Sequence, residues 1–386
     1  MKKRILAVMM AGVLSLSFVA CSDSDSDTDT STDTSDTSDT TEAADIEYDV
    51  NDYVTLGDYN GIEITITGDY DYSEEGFDEY VDEQLEAAAI YVESDETEVT
   101  EESIVDVDYV GSQDGVAFDG GSAEDQIIDV GGNCSVDGGS YIDGFTAGLV
   151  GHSVGEEVAY EVTFPETYSN TDLAGQTVVF TFQINYIAEL LTADSLTDDI
   201  VAENFDYDTV DDFMAAMKTD YEDELASNKD ADIRTEVINT VQGNATVSGV
   251  PEDLLDAWVD MQVKYIENQF YYNTYTEYTL EEIADYYGQD YDEVLESITS
   301  SVEETLETVL VFQCIAEKEG INLDGYDDYM QEILEESGAS SLDDLLSFYS
   351  TDTYSGEAYS KLVYYEDQGI RFCIDNAVVT VAEAED

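Results

Sequence analysis

Side chains capable of covalent or metal chemistry are few in this sequence of 386 residues. It has four cysteines and one histidine, His152, and a single histidine excludes a multi-histidine metal site. No Cys-x-x-Cys spacing occurs, and no Ser/His/Asp or Cys/His arrangement indicates a nucleophile. Cys314 and Cys373 lie in apolar helical patterns, where they either pair or act as small buried hydrophobic residues. We therefore predict neither a metal site nor a cofactor.

Aromatic side chains between residues 105 and 186 are better candidates for a site. Tyr109 and Phe180 lie in strand-like patterns, and aromatic residues on strands usually fill a core. Phe118, Phe145 and Tyr168 instead follow turns or lie in loops near glycines, where core packing needs them less. Two interpretations follow, a filled core and a pocket lined by rings.

Residues 101–190 show the periodicity of the strands that would hold these rings. Apolar and polar residues alternate over 105–109, 158–164 and 178–186, which is typical of half-buried antiparallel strands. The pair Asp114-Gly115 is typical of a tight hairpin turn. We predict an α+β fold in which a curved antiparallel sheet packs on one face.

Four motifs of this region resemble the FKBP domain of trigger factor, in the same order and spacing. They are VDVDYVGSQDGVAFDGG, YIDGFTAGLVGHSVGEE, VTFPETY and VVFTFQINYI. Two features depart from that family: Asp143 stands where trigger factors usually have proline, and the loop 131–141, which contains Cys134, is longer. The resemblance implies a peptidyl-prolyl cis-trans isomerase with a proline pocket. By position, its lining residues are Tyr109, Phe118, Asp119, Ile142, Phe145, Tyr168 and Phe180.

Such a pocket catalyses rotation without a nucleophile or a general base. The X-Pro amide resists rotation because its nitrogen is conjugated with the carbonyl, a barrier of ~18–20 kcal/mol. The twisted transition state loses that conjugation and its carbonyl carries less negative charge, so a dry apolar pocket favours it over the planar amide. By the family's pattern, Phe145 is the floor and the Ile142 N–H binds a substrate carbonyl. Asp119 and Tyr168 orient the peptide.

The first 45 residues have the pattern of a leader and a tether. Basic residues 2–4 precede the apolar run 5–20, which is too short and too early for a stable membrane span. The run ends in FVAC, which resembles a bacterial lipobox and implies lipidation of Cys21. The alternative is an ordinary signal peptide. Residues 1–20 are thus predicted to be a lipoprotein signal peptide, and residues 21–45 a disordered acidic tether.

Charge is extremely unbalanced, with 10 basic residues against 93 acidic ones and a formal net charge of −83. After residue 4, the first basic residue is Lys218. Such a surface repels nucleic-acid phosphates, so we predict no nucleic-acid partner. A hydrophobic content of 43% nevertheless suffices for packed cores, and the length beyond the tether suggests two or three domains.

Both segments that flank the isomerase region also resemble trigger factor. Residues 46–100 are similar to the tail of its N-terminal domain, and we interpret them as a remnant of that domain or a linker. The basic Gly-Phe-Arg type signature for ribosome docking is missing. We therefore predict that the ribosome is not a partner. Residues 191–386 have a helical period, and LLDAWVDMQVKYI, FQCIAEKEGINL and GIRFCIDNAVV resemble the C-terminal chaperone arms. Pro251 should begin a helix, Gly320 should follow the end of one and Ser341 should cap another. The tyrosine-rich run 269–278 is either a client surface or a segment that packs on itself.

These patterns and resemblances predict an α+β FKBP-like domain over 101–190, followed by a mostly α-helical chaperone domain over 191–386. The predicted function is that of an extracytoplasmic peptidyl-prolyl cis-trans isomerase and chaperone. Its partners would be unfolded or newly secreted polypeptides that contain X-Pro bonds. It would be lipid-anchored on the extracellular face of the cell membrane. Two alternatives stay open: a catalytically silent holdase, and an acidic adhesive surface lipoprotein.

Overall fold

The computed structural model describes residues 45–382. It divides into two compact units, Asp71–Leu225 and a second unit that joins the residues up to Tyr70 with those from Ala226 onward. The predicted leader, Cys21 and the tether up to residue 44 lie outside the described residues. Over residues 45–382, no helix is both long and apolar enough to cross a membrane.

The first unit contains a six-stranded antiparallel sheet. The strands are β3 (Tyr91–Glu93), β4 (Ile104–Gln113), β5 (Val116–Asp129), β6 (Cys134–Ser135), β7 (Glu157–Thr163) and β8 (Thr177–Leu190). Their order in the sheet is β3-β8-β4-β5-β6, with β7 also paired to β8. The turn between β4 and β5 is Asp114-Gly115, both with positive φ, as the sequence predicted.

Alternation along these strands produces a buried apolar face. Val105 and Val107 on β4 and Phe182 and Ile184 on β8 have no exposed surface. On β8 the residues between and beside the buried pair, Thr181, Gln183 and Asn185, are half-buried. Each such side chain contributes about 1.5–3 kcal/mol when it is removed from water. The predicted curved sheet of an α+β fold is therefore confirmed.

A second, smaller core in this unit is built by helices. Helix α1 (Glu74–Ala88) begins at Ser73, whose hydroxyl accepts a hydrogen bond from the Gly76 N–H. It buries Phe77, Val81 and Leu85. These side chains share a cluster with Leu191 directly after β8, and with residues from α2 (Asp198–Asn204) and from the start of α3 (Val210–Asn244).

The other unit is mostly helical and has two small sheets. Their strands are β1 (Val54–Thr55), β2 (Glu63–Thr67), β9 (Thr246–Val247) and β10 (Val378–Ala382). Strand β1 pairs antiparallel with β9, and β2 pairs parallel with β10. The helices that follow α3 are α4 (Glu252–Thr274), α5 (Leu280–Tyr287), α6 (Tyr291–Lys318), α7 (Tyr326–Ser337), α8 (Leu342–Phe348) and α9 (Gly356–Asn376).

Helix α6 lies at the centre of this unit's core. Its residues Leu310, Val311, Phe312 and Ile315 have no exposed surface. Helix α9 packs closely on α6 at Gly369, where an added Cβ would lie 2.3 Å from the Phe312 carbonyl oxygen. Any larger residue would force the two helices apart, so the glycine permits the close approach.

Three predicted helix boundaries are confirmed. Pro251 directly precedes α4, and Gly320 has a φ of 73° just after the end of α6. The Ser341 hydroxyl caps α8 by accepting a hydrogen bond from the Asp344 N–H. Helix α4 contacts both α5 and α6, and its buried residues are Leu254, Ala257, Trp258 and Gln262.

The three cysteines of the described chain are free thiols. Cys134 is half-buried, and Cys314 and Cys373 are buried. Burial raises the pKa of the Cys373 thiol to about 12, so it is protonated at neutral pH and packs as a small hydrophobic residue.

Candidate active site

Seven residues predicted as site residues line a single cavity of about 240 Å³. Pockets for drug-sized ligands hold ~300–1,000 Å³, so this cavity suits one ring-sized side chain rather than a larger ligand. The catalytic role of the seven residues stays a prediction. The seven are Tyr109 on β4, Phe118 and Asp119 on β5, Ile142 and Phe145 in the loop after β6, Tyr168 in the loop after β7, and Phe180 on β8.

Phe145 is held rigidly as the base of the cavity. Its side chain is 3% exposed. Three rings meet it edge to face, with centroid distances of 5.1 Å to Tyr109, 4.8 Å to Phe180 and 5.0 Å to Phe182. Edge-to-face pairs stabilise a ring by about 0.5–1.5 kcal/mol each beyond the area that they bury. The ring therefore cannot tilt without losing several contacts.

Asn133 fixes the turn that carries Phe145. Its side-chain amide donates to the carbonyl oxygens of Tyr141 and Ile142, at 3.2 and 3.1 Å. Its side-chain oxygen accepts a hydrogen bond of 3.1 Å from the Thr146 N–H. The backbone of Asn133 has a φ of 52°, a conformation that asparagine tolerates better than most residues. Its two side-chain groups thus bind both ends of the segment 141–146.

The Ile142 backbone has a free donor at the cavity. The Ile142 carbonyl accepts a hydrogen bond from the Phe145 N–H. Over residues 45–382, the Ile142 N–H has no intramolecular hydrogen-bond partner. Because no group of the described chain occupies this donor, the N–H is available to a carbonyl oxygen supplied by a bound peptide.

An irregular segment of β5 places Phe118 and Asp119 at the cavity. The pairing of β4 with β5 passes from Val110↔Ser122 to Ser112↔Ala117. Gly111 of β4 alone therefore lies opposite residues 118–121. Bulges of this kind redirect side chains and are frequent next to active sites. Gly120, with a φ of 76°, allows the backbone to make this excursion.

Two glycines leave room for the Phe118 ring. A Cβ added at Gly111 would lie 2.5 Å from the ring, and one added at Gly121 would lie 2.3 Å from it. Both glycines have ordinary backbone conformations, so the missing Cβ is what the packing requires. The ring also meets Phe164 and Phe180 edge to face, at 6.1 and 6.0 Å.

Sequence reasoning missed several lining residues, of which Tyr141, Phe164 and Leu173 are the largest. Phe164 lies in the VTFPETY motif, but strand alternation marked it as a core residue, and it is 5% exposed. Its ring lies 4.6 Å from that of Tyr168, so it also supports a predicted site residue. The position of Phe164 in that motif was the signal from which the sequence could have identified it as a lining residue.

The cavity is almost free of ionisable groups. Burial raises the pKa of both Tyr109 and Tyr141, which keeps their phenols neutral at neutral pH. Asp119 is the one carboxylate among the described lining residues, and it is exposed. Over residues 45–382, no group of three or more His, Cys, Asp or Glu side chains is placed to hold a metal ion.

Basic side chains are almost absent from the unit that contains the cavity. Between residue 5 and residue 217 the sequence has no lysine or arginine. Lys218 lies on α3 with its Nζ 4.2 Å from the centroid of the Tyr72 ring. His152 pairs with Glu156 at 2.9 Å. The field around the cavity is therefore negative, which favours basic or neutral peptides over acidic ones.

Two family models match the chain. The model of the FKBP-type peptidyl-prolyl cis-trans isomerase matches residues 95–185. The model of the bacterial trigger factor protein C-terminus matches residues 209–353. These ranges lie over the sheet with its cavity and over the helices from α3 to α8.

Similar curated proteins are named trigger factor. That of Clostridioides difficile is 28% identical over 332 residues, which are 84% of this chain and 72% of that protein. That of Brevibacillus brevis is 29% identical and covers 77% of this chain and 64% of its own length. That of Halothermothrix orenii is 32% identical, with 71% and 61% covered. The chain thus spans less than two thirds of the latter two.

A solved structure of the trigger factor chaperone, described by its promiscuous substrate recognition in folding and assembly activities, is also similar. The match covers 83% of this chain and 72% of the chain in that structure, with 14% sequence identity and a TM-score of 0.37. From the family models and the curated relatives, the chain is a trigger factor-like protein that contains an FKBP-type isomerase domain followed by a trigger factor C-terminal region.

Proposed function

We propose that this protein catalyses prolyl cis-trans isomerisation in unfolded polypeptides outside the cytoplasm and holds those polypeptides through its helical unit. The observation that carries the proposal is the single cavity lined by the seven residues that the sequence predicted, with Phe145 at its base. A small, apolar, ring-lined cavity with a free N–H at its edge binds an X-Pro segment through shape and one directed hydrogen bond.

The chemistry follows from what the cavity offers and what it lacks. Proline enters above Phe145, and the walls formed by Tyr109, Phe118 and Phe180 exclude water. The Ile142 N–H takes a peptide carbonyl beside the bond that rotates, which holds one side of the amide still. Because the surroundings are apolar, the twisted amide with its less polar carbonyl is favoured over the planar one.

Holding of clients is supported by an exposed aromatic surface where α4 meets α5. We name it the aromatic corner, and define it as Phe270, Tyr271, Tyr272, Tyr275, Tyr278, Tyr286 and Tyr287. Tyr272 is 66% exposed, Tyr275 81% and Tyr286 67%. Exposed apolar patches of this kind mark binding sites for proteins or ligands.

Part of the aromatic corner packs on itself. The ring of Phe270 contacts the rings of Tyr278, Tyr286 and Tyr287 at 5.0 to 6.1 Å. The interpretation that the run packs on itself therefore applies to Phe270, and the interpretation as a client surface is proposed for the exposed tyrosines. Phe270 organises the corner, and the most exposed tyrosines are its contact surface.

The site of action is proposed from the sequence. Residues 2–4 and the apolar run 5–20 support export, and the FVAC junction supports a lipid anchor at Cys21. The acidic tether would hold the folded units away from the membrane. The missing basic signature for ribosome docking supports action on secreted chains rather than at the ribosome. Metabolic labelling with an alkyne fatty acid tests the anchor, because Cys21→Ala should abolish the label.

The isomerase activity is tested by measuring exchange of an X-Pro peptide between cis and trans with the purified chain. Phe145→Ala and Phe118→Ala should each lower kcat/KM at least about tenfold, since tenfold corresponds to about 1.4 kcal/mol of transition-state stabilisation. Circular dichroism of each variant checks that the sheet still forms. If the unaltered chain gives the same exchange rate as the uncatalysed reaction, the isomerase function is disproved. The catalytically silent holdase is then the remaining chaperone function.

The silent holdase is the second candidate, because the aromatic corner needs no catalysis to act. Light scattering of a refolding client distinguishes the two. The holdase suppresses aggregation equally well with Phe145→Ala and with the unaltered chain, whereas an isomerase also accelerates refolding of a client limited by proline isomerisation. An adhesive surface lipoprotein would do neither.

A further inference from the structure

Strand β10 forms an exposed edge of the small parallel sheet in the helical unit. Within the described chain this sheet has two strands, so β10 is paired to β2 on one side alone. Three of its five side chains are exposed valines: Val378 is 55% exposed, Val379 36% and Val381 47%. The sequence pattern did not predict this strand, because its five residues directly follow a helical region and are too few to show the alternation of apolar and polar residues that is typical of a strand.

The register shows which backbone groups of β10 are unpaired. Val378 is aligned with Glu63 and its N–H donates to the Ile62 carbonyl, so Val378, Thr380 and Ala382 direct their backbone groups toward β2. Successive residues of a strand direct these groups to opposite edges. Val379 and Val381 therefore present their N–H and C=O groups along the outer edge of the sheet.

The side chains of these two valines extend a buried face. Val379 is aligned with Ile64 and Val381 with Ile66, and aligned residues of a sheet lie on the same face. Ile64 and Ile66 are 3% and 4% exposed. A strand added beside β10 would continue this apolar face and cover Val379 and Val381.

Natural sheet edges are usually blocked by lysine, proline or a bulge, because an open edge pairs with other chains. Strand β10 has the sequence VVTVA, without lysine, proline or a bulge, although 27% of the residues of the protein are charged. The register of β10 with β2 is continuous over five residues. An open apolar edge in so acidic a protein therefore indicates a pairing site.

We propose that β10 binds an extended apolar segment of an unfolded polypeptide as an added strand. The proposal rests on the proposed chaperone function and names a third client site, in addition to the cavity and the aromatic corner. A second copy of this chain is the disfavoured occupant, because two chains that each carry a formal charge of −83 repel one another. Backbone pairing accepts any sequence that can extend, which suits varied clients.

The test uses the purified chain and a fluorescent peptide KVTVTVK, with KSTSTSK as a control of equal charge. Anisotropy is measured in 1 M NaCl, where the screening length is about 3 Å and charge attraction is suppressed. The valine peptide should bind and the serine peptide should not. Val381→Pro removes one outward N–H and leaves the pairing of Thr380 and Ala382 with β2 in place, so it should weaken binding about two- to tenfold.

Val381→Ala is the matched variant, because it removes the side chain and keeps the N–H. It should bind the peptide more tightly than Val381→Pro does. Hydrogen exchange adds a direct readout: the peptide should slow exchange of the Val379 and Val381 amides, whereas the Thr380 amide is already protected. Equal binding by Val381→Pro and the unaltered chain, or no slowing at Val379 and Val381, would overturn the proposal. A dimer that Val381→Pro dissociates would overturn the assignment of the occupant.

Failure of this proposal can be separated from failure of the proposed function. A chain that does not suppress aggregation of any client refutes the chaperone function. A chain that suppresses aggregation, but equally well with Val381→Pro, refutes strand addition alone. Isomerase activity should be unchanged in both β10 variants, because β10 lies outside the unit that contains the cavity.

Discussion

The ring of Tyr141 stacks on the ring of Phe145, with centroids 4.3 Å apart and planes inclined by 22°. Tyr141 ends the long loop 131–141, which is the part of the region that departs most from the FKBP domain of trigger factor. It also meets Tyr109 edge to face at 6.4 Å. The loop that departs from the family thus contributes a wall to the cavity.

The first prediction concerns that wall. Tyr141→Ala should lower kcat/KM for an X-Pro peptide about tenfold, because water then reaches the Phe145 ring and the apolar surroundings of the amide are lost. Tyr141→Phe keeps the stacked ring and should retain most of the activity. Loss of activity in both variants would assign the role to the hydroxyl instead of the ring.

The second prediction concerns the space around Phe118. Gly111→Ala or Gly121→Ala would place a Cβ 2.5 or 2.3 Å from that ring and should displace it from the cavity, lowering kcat/KM by about tenfold or more. Gly243→Ala is the control, because no atom lies within 4 Å of its added Cβ. Peptide exchange measured by NMR provides the rates. Full activity in both cavity variants would show that the Phe118 ring is dispensable.

The third prediction tests Asn133 as a positioning residue. Asn133→Asp keeps the oxygen that accepts from the Thr146 N–H but loses the donor to the carbonyl oxygens of Tyr141 and Ile142. The Ile142 N–H should then be misplaced, so KM for the peptide should rise more than kcat falls. Thermal unfolding of the same variant separates this effect from loss of the fold. Equal changes in KM for a substrate without the adjacent carbonyl would contradict the assignment.

Sequence reasoning predicted the elements that repeat and the residues that lie in motifs. Strand alternation predicted the sheet, and the motifs named seven residues that the structure brings to one cavity. Tyr141 was not predicted as a lining residue because its loop differs in length from that of the family. Asn133 was not predicted because hydrogen bonds from a side chain to the backbone of a loop produce no periodic pattern in the sequence. The pairing of β2 with β10 joins segments far apart in the chain, and a five-residue strand gives too weak a signal.

The fourth prediction follows from charge. The unit that holds the cavity has no lysine or arginine before Lys218, so basic substrates should be concentrated near it. A peptide with lysines beside the X-Pro bond should have a higher kcat/KM than one with glutamates. The difference should shrink with salt, because the screening length falls from about 10 Å at 0.1 M to about 3 Å at 1 M. A difference that salt does not change would point to direct contacts instead.

The fifth prediction concerns Glu366 on α9, a partly buried carboxyl group. Burial raises its pKa to about 7, the neighbouring Asp367 also raises it, and Arg234 lowers it. Arg234 is partly committed elsewhere, since its guanidinium donates to Asp367 at 3.2 Å and Arg371 donates to the same carboxylate at 2.6 Å. Glu366 therefore takes up a proton on folding at mildly acidic pH.

A group whose pKa is higher in the folded state than in the unfolded state stabilises the fold below the unfolded pKa, here that of an ordinary glutamate near 4.5. This contribution is lost as the pH rises through about 7. Glu366→Gln cannot ionise, so its free energy of unfolding relative to the unaltered chain should rise by about 1–3 kcal/mol between pH 5 and pH 8. This free energy is measured by urea unfolding, followed by the fluorescence of Trp258, which is the one tryptophan and a core residue of the same unit.

Glu296→Gln, at an exposed glutamate, is the matched control and should show no such rise. If the two variants behave alike across this range, Glu366 is ionised in the folded state at pH 5 and its burial does not perturb it.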